Sequence, residues 1–117
     1  MSKLSTHVLD LVAGRPAAGV RVELFRVEAG SQRRLVETRT NADGRTDAPL
    51  LQAPALEAGH YLLRFHVAEH FRGLGHSLPE PPFLDQVDVH FGIADAGTSY
   101  HVPLLVTPWS YSTYRGS

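Results

Sequence analysis

The sequence predicts an all-β sandwich of seven to eight short strands with one short helix. Three observations predict it. Apolar and polar residues alternate in short runs, which is the period of a strand with one face on a core. Gly, Pro, Asn and Asp divide those runs at close intervals, as in sandwiches built from short strands. The stretch Ala68–Leu74 breaks the alternation and ends at Gly75, which fits one or two turns of helix.

The first strand is expected over Leu4–Val12, followed by a loop carrying Gly14, Pro16 and Gly19. Val20–Val27 alternates next, with Val20, Val22 and Leu24 on one face and Arg21, Glu23 and Phe25 on the other. Gly30-Ser31 signals a hairpin turn into a third strand, Arg34–Thr40. Asn41-Ala42-Asp43-Gly44-Arg45 is a turn, because Asn and Asp bond their own backbone and Gly accepts a positive φ. Ala48–Ala58 holds two prolines and reads as irregular, with a short edge strand.

From Gly59 onward Tyr61, Leu63, Phe65 and Val67 share one face, and His60, Leu62, Arg64 and His66 the other. Beyond the helix, Ser77–Pro82 is a proline-rich loop. Phe83–Phe91 is a strand with Val87, Val89 and Phe91 on one side. A turn at Ala94–Gly97 leads to the strand Tyr100–Val106, and a turn at Thr107–Ser110 leads to the last strand, Tyr111–Arg115. Pro103 predicts an edge or a bulge, since proline cannot donate to a ladder.

The 117 residues suit one domain over residues 1–117, and 43% of them are hydrophobic, which is ordinary for a globular chain. The formal net charge of −1 shows no basic face for nucleic acid and no polybasic membrane patch. No apolar stretch is long enough to span a bilayer. Cysteine is absent, so disulfides, thiolate catalysis and sulfur-ligated metals are excluded. The first residues carry no signal-peptide pattern, and the last four are not the Ser-Lys-Leu address, so a cytoplasmic protein is expected.

Alternation places His7 with Ser5, Leu9 and Leu11, and His101 with Pro103 and Leu105. Tyr100, Val102, Leu104 and Val106 make a plain core face. The His101 face is apolar yet ionisable, which suits a cavity lining or a subunit contact. The closing strand puts Ser112 and Tyr114 on one face, with Thr113 and Arg115 on the other. The sequence stops soon after this strand, which points to a tail that is used. A strand histidine is ordinarily structural or solvated, the reading adopted for His60, His66, His70, His76 and His90. His66 and His70 have i, i+4 spacing, but no His-Glu-x-x-His pattern accompanies them, and no metal site is expected. No Gly-x-Ser-x-Gly elbow supports a serine triad. Alternation alone does not raise His7, Arg45, His101 or Tyr114 above structural or solvated roles.

Three segments resemble the 5-hydroxyisourate hydrolase family, also called transthyretin-related proteins. They are Leu4-Ser5-Thr6-His7-Val8-Leu9-Asp10 with Gly14-Arg15-Pro16-Ala17, then Thr40-Asn41-Ala42-Asp43-Gly44-Arg45, then Tyr100-His101-Val102-Pro103-Leu104-Leu105 continuing through Pro108 to Tyr111-Ser112-Thr113-Tyr114-Arg115-Gly116-Ser117. The closing Tyr-Arg-Gly-Ser is the most specific, since it separates this family from the hormone-carrier transthyretins. The resemblance covers essentially the whole chain. Leu84-Asp85-Gln86 departs from the family, which has a second aromatic and a proline after the residue matching Phe83.

The resemblance implies a transthyretin-like (prealbumin-like) sandwich assembled as a homotetramer, a dimer of dimers, with sites in a channel between dimers. It implies hydrolysis of 5-hydroxyisourate to 2-oxo-4-hydroxy-4-carboxy-5-ureidoimidazoline in urate degradation, without a cofactor. It implies catalytic roles for His7, Arg45 and His101. Substrate contacts then fall to His7, Arg45, Ser112, Tyr114, Arg115, Gly116 and Ser117. The competing reading is a carrier of a small apolar ligand, such as a thyroid hormone, in the same channel. It would require small apolar or hydroxyl residues at positions 101 and 114. A purely structural sandwich would need neither the polar channel residues nor the tail.

Overall fold

The computed structural model describes residues 1–116, and the expected role of Ser117 lies outside the described residues. Among these residues the order is β1 (Lys3–Asp10), β2 (Arg15–Pro16), β3 (Arg21–Glu28), β4 (Ser31–Arg39), β5 (Leu51–Gln52), β6 (Gly59–His66), α1 (Val67–Gly73), β7 (Gln86–Ile93), β8 (Tyr100–Val106) and β9 (Tyr111–Thr113). The sequence reading overran by two or more residues at three places. The first strand stops at Asp10 rather than Val12, the seventh starts at Gln86 rather than Phe83, and the last stops at Thr113 rather than Arg115. The first stop has a visible cause. Asp10 Oδ1 accepts the N–H groups of Val12 and Ala13, both at 2.9 Å, so the chain is turned by a side chain competing with the ladder.

Two sheets face each other. One runs β4-β3-β6-β7; the other runs β2-β1-β8-β9, with β5 also pairing β1. All pairs are antiparallel except β1 with β8, where Ser5 lies opposite His101 and His7 opposite Pro103. Parallel pairing sends both strands to the same end, where the Leu11 N–H donates to the Val106 carbonyl at 3.0 Å.

Period-two alternation sorts every residue of the β1–β8 pair. Leu4, Val8, Tyr100, Val102, Leu104 and Val106 point into the sandwich and are buried. Ser5, His7, Leu9, His101 and Leu105 point out and stay half-buried. The opposing sheet supplies Val22, Leu24, Leu63, Phe65, Val87 and Val89 to the same core. Each such side chain contributes about 1.5–3 kcal/mol when fully buried, and that gain holds the register, because a slip of one residue would expose the whole set. Helix α1 buries Val67, Ala68 and Phe71 along one side, and Gly75, at φ +90°, ends the segment.

Pro103 sits where its ring does no harm. Its carbonyl faces β9 and accepts the Thr113 hydroxyl at 2.7 Å, and β8–β9 pairing lapses there until Gly116 bonds His101. The missing N–H therefore falls in an interruption of the ladder rather than at the edge or bulge expected from sequence, since β8 lies between β1 and β9 and the pairs Leu104–Thr113 and His101–Gly116 keep one register.

His66 and His70 go to separate carboxylates. His66 Nε2 meets Glu23 Oε1 at 2.6 Å, and His70 Nε2 meets Asp10 Oδ2 at 3.0 Å. The second pair ties α1 to the end of β1 below the surface.

Candidate active site

The outward face of the β1–β8 pair carries a cavity of about 510 Å³ whose lining includes Lys3, Ser5, Arg45, Asp47 and His101. Its ionisable groups reach it by two routes. His101 and Ser5 stand side by side because they are register partners on parallel strands. Their side chains share a hydrogen bond, Ser5 Oγ to His101 Nδ1 at 2.9 Å. His7, two residues along β1, is not part of that lining but lies beside it on the same outward face, its ring centroid 6.5 Å from that of His101.

Arg45 arrives on a turn built for the purpose. Asn41 Oδ1 accepts the N–H groups of Asp43 and Arg45, and the Gly44 N–H returns to the Asn41 carbonyl at 2.9 Å. The Val8 N–H then donates to the Gly44 carbonyl at 2.8 Å, which pins the turn to β1 next to His7. Gly44 is required here on two grounds. Its φ is +73°, and a Cβ would fall on the Val8 carbonyl oxygen, with Pro16 Cβ 3.1 Å away. Arg45 itself is exposed, and among the described residues its guanidinium makes no ion pair.

Electrostatics follow from this crowding. Burial is the largest influence on His101, and with the charges of Arg45 and His7 it pushes the imidazole below its ordinary value. The ring therefore favours its neutral form, the form that can take a proton. One neutral histidine with a second histidine beside it, and a guanidinium facing the same cavity, can move a proton and hold an oxyanion.

The tail divides. Gly116 lies against His101: its N–H donates to the His101 carbonyl at 2.7 Å, and a Cβ there would come within 2.9 Å of His101 Cδ2. Ser112 pairs with Leu105 on the outward face, two residue steps beyond the level of Pro103. Tyr114 and Arg115 line a different cavity of about 260 Å³, with Phe91 and Tyr100 among its walls. The Arg115 guanidinium lies 4.5 Å over the Tyr100 ring. Alternation does not carry Tyr114 onto the His101 face because regular pairing ends at Thr113. Within one chain, then, His7, Arg45, His101 and Gly116 are brought together, while Ser112, Tyr114 and Arg115 stand apart from them. The sequence reading passed over Ser5 and Lys3 as functional groups. The available signal was their i, i+2 spacing with His7 on one strand face.

Comparison with known proteins identifies the family. The family described as HIUase/Transthyretin matches residues 4–116. A 5-hydroxyisourate hydrolase of Ralstonia nicotianae is 54% identical over 117 residues, covering all of both chains. A solved 5-hydroxyisourate hydrolase of Klebsiella pneumoniae superposes with a TM-score of 0.81 at 37% identity, again covering all of both chains. Sea bream transthyretin, solved in complex with thyroxine, superposes with a TM-score of 0.87 at 26% identity, over 97% of this chain and 94% of that one. With an outward pair of strand histidines, an arginine on a glycine-supported turn, and full-length matches of this kind, the chain belongs to the HIUase/Transthyretin family.

Proposed function

We propose that this chain hydrolyses 5-hydroxyisourate. The observation that carries the proposal is the convergence of His101 and Arg45 on one outward concavity with His7 beside His101, in a chain whose full-length relatives carry that activity in their names. The reaction is addition of water to a ring amide carbonyl. The water oxygen bonds to the carbonyl carbon, the ring C–N bond breaks, and the departing nitrogen takes a proton. Oxidation state is unchanged, so the chemistry calls for no cofactor.

Each residue has a task that its chemistry suits. His7 and His101 divide the proton steps, removing one from water and delivering one to nitrogen. Arg45 offers a planar fork of donors to the developing oxyanion and to the acidic ring, an interaction worth on the order of 3 kcal/mol. Gly116 leaves room against His101. Ser112, Tyr114, Arg115 and Ser117 complete the substrate contacts in a homotetramer, a dimer of dimers, where residues apart within one chain meet across the channel. No helix of the described residues is long and apolar enough to cross a membrane, and the proposed setting is the cytoplasm.

The carrier reading fares worse on the same face. A cavity lined by Lys3, Arg45, Asp47 and His101 is charged, whereas a hormone-sized apolar ligand gains most from apolar walls. The test generates 5-hydroxyisourate in place with urate oxidase and follows its absorbance. Decay far above the spontaneous rate supports the hydrolase. A folded protein that leaves the decay unchanged overturns it and returns the site to ligand-binding screens.

A further inference from the structure

Resting on the hydrolase reading, we propose that Ser5 is a positioning residue. It holds His101 with its proton on Nδ1 and so leaves Nε2 as the nitrogen that takes the proton from water. The geometry comes from strand register. Ser5 and His101 are opposed on β1 and β8, and their side chains meet at 2.9 Å between Oγ and Nδ1. That contact occupies one ring nitrogen, and the described residues give Nε2 no hydrogen-bond partner.

A serine hydroxyl can donate or accept, so the contact alone allows either tautomer. The surroundings decide between them. Among the described residues the ionisable groups around the ring are Lys3 and His7 on β1, and Arg45 and Asp47 on the loop that borders the cavity. Arg115 of the tail turns its guanidinium to the Tyr100 ring instead. Arg45 acts on His101 as a positive charge. A nearby cation favours a lone pair over an N–H at the nitrogen left open, and Nδ1, bonded to Ser5 Oγ, is then the nitrogen that carries the proton. The same arrangement serves the reaction. When Nε2 takes a proton, the Nδ1–H still donates to Ser5 Oγ, so the bond persists through the transfer and nothing has to rotate.

The contact predicts opposite responses to two substitutions. Ser5→Ala removes the acceptor, so the imidazolium loses support and the histidine pKa falls. The acid limb of kcat/KM then moves to lower pH, and kcat drops about tenfold with KM little changed. Ser5→Asp puts a carboxylate beside Nδ1, which raises the pKa and moves the acid limb to higher pH. Ser5→Thr keeps the hydroxyl and restores the wild-type profile. The test pairs these pH–rate profiles with ¹⁵N NMR of histidine-labelled intact protein, which reads the protonated nitrogen of His101 directly. Supporting results are an Nδ1–H tautomer in the wild type and acid limbs displaced in opposite directions by Ala and Asp. A wild-type Nε2–H tautomer, or limbs that stay in place in both variants, overturns the proposal. If the wild type does not accelerate 5-hydroxyisourate decay, the hydrolase reading fails, while the NMR tautomer still decides the role of Ser5.

Discussion

Gly44→Ala should damage the protein far more than Gly14→Ala, although both glycines have nearly the same backbone conformation. Their φ values are +73° and +71°, so alanine pays a similar left-handed strain at each, about 1 kcal/mol. The surroundings differ. A Cβ at residue 14 meets nothing within 4 Å, whereas one at residue 44 falls on the Val8 carbonyl oxygen of β1. To relieve that clash the turn must lift off the strand. Doing so stretches the Val8 N–H···Gly44 O bond at 2.8 Å and the neighbouring Ala17 N–H···Val8 O bond at 2.9 Å. Each is worth about 1 kcal/mol net, so Gly44→Ala should cost about 3 kcal/mol against about 1 for Gly14→Ala. The difference corresponds to a melting temperature roughly 8 °C lower. The assay is urea denaturation of the three proteins at one protein concentration, since assembly would otherwise shift the midpoint. Turnover is then measured where all three remain folded. A displacement of Arg45 by about 1 Å should cost about 100-fold in Gly44→Ala and little in Gly14→Ala. Equal stability losses, or full activity in Gly44→Ala, would refute the view that this turn is held against β1 to aim Arg45.

Three further outcomes are expected. Arg45→Ala should lower kcat/KM by about 10²–10³-fold with an unchanged melting temperature, because the side chain is exposed, and Arg45→Lys should recover only part of the loss; steady-state kinetics beside a melt checks both. Burial, Arg45 and His7 hold His101 below its ordinary value, so its base form survives to lower pH. The acid limb of kcat/KM should therefore fall below about 6.5, which a pH–rate profile reads directly. Asp10→Ala should cost about 2–3 kcal/mol in denaturant, since it orphans the Val12 and Ala13 N–H groups and leaves His70 buried without its partner. Burial alone would raise the Asp10 carboxyl, but the N–H groups of Ala13 and Val12 together with His70 outweigh it and hold it below 3.8. The unfolded chain thus takes up this proton first as pH falls. The Asp10 contribution is complete above about 3.8 and is lost as pH drops through the folded value, and Asp10→Ala should flatten stability over that range.

Much of the molecule was legible before any coordinates. Alternation alone assigned the inward set Tyr100, Val102, Leu104 and Val106 and the outward set His101, Pro103 and Leu105, because a strand offers only two faces and burial of one set enforces the choice. The turn at Asn41–Arg45 was equally plain, since the Asn side chain bonds its own turn and Gly, lacking a Cβ, accepts a positive φ. Strand ends were less legible. Whether β1 stops at Asp10 depends on a carboxylate bonding two N–H groups just beyond it, and on His70 arriving from α1, 60 residues later.

The sequence by itself determined the residue types on each face and the inventory of chemistry: two outward histidines, an arginine after a glycine, and no thiol. Only the tertiary structure decided which of them meet. The parallel β1–β8 pairing sets Ser5 against His101, the Val8–Gly44 bond brings Arg45 to the same concavity, and the end of β9 at Thr113 sends Tyr114 and Arg115 elsewhere in the chain. The reason is the range of the forces involved. Periodicity and turn chemistry act over a few residues and are written locally, whereas register between strands nearly a hundred residues apart is selected by which pairing buries both apolar faces at once.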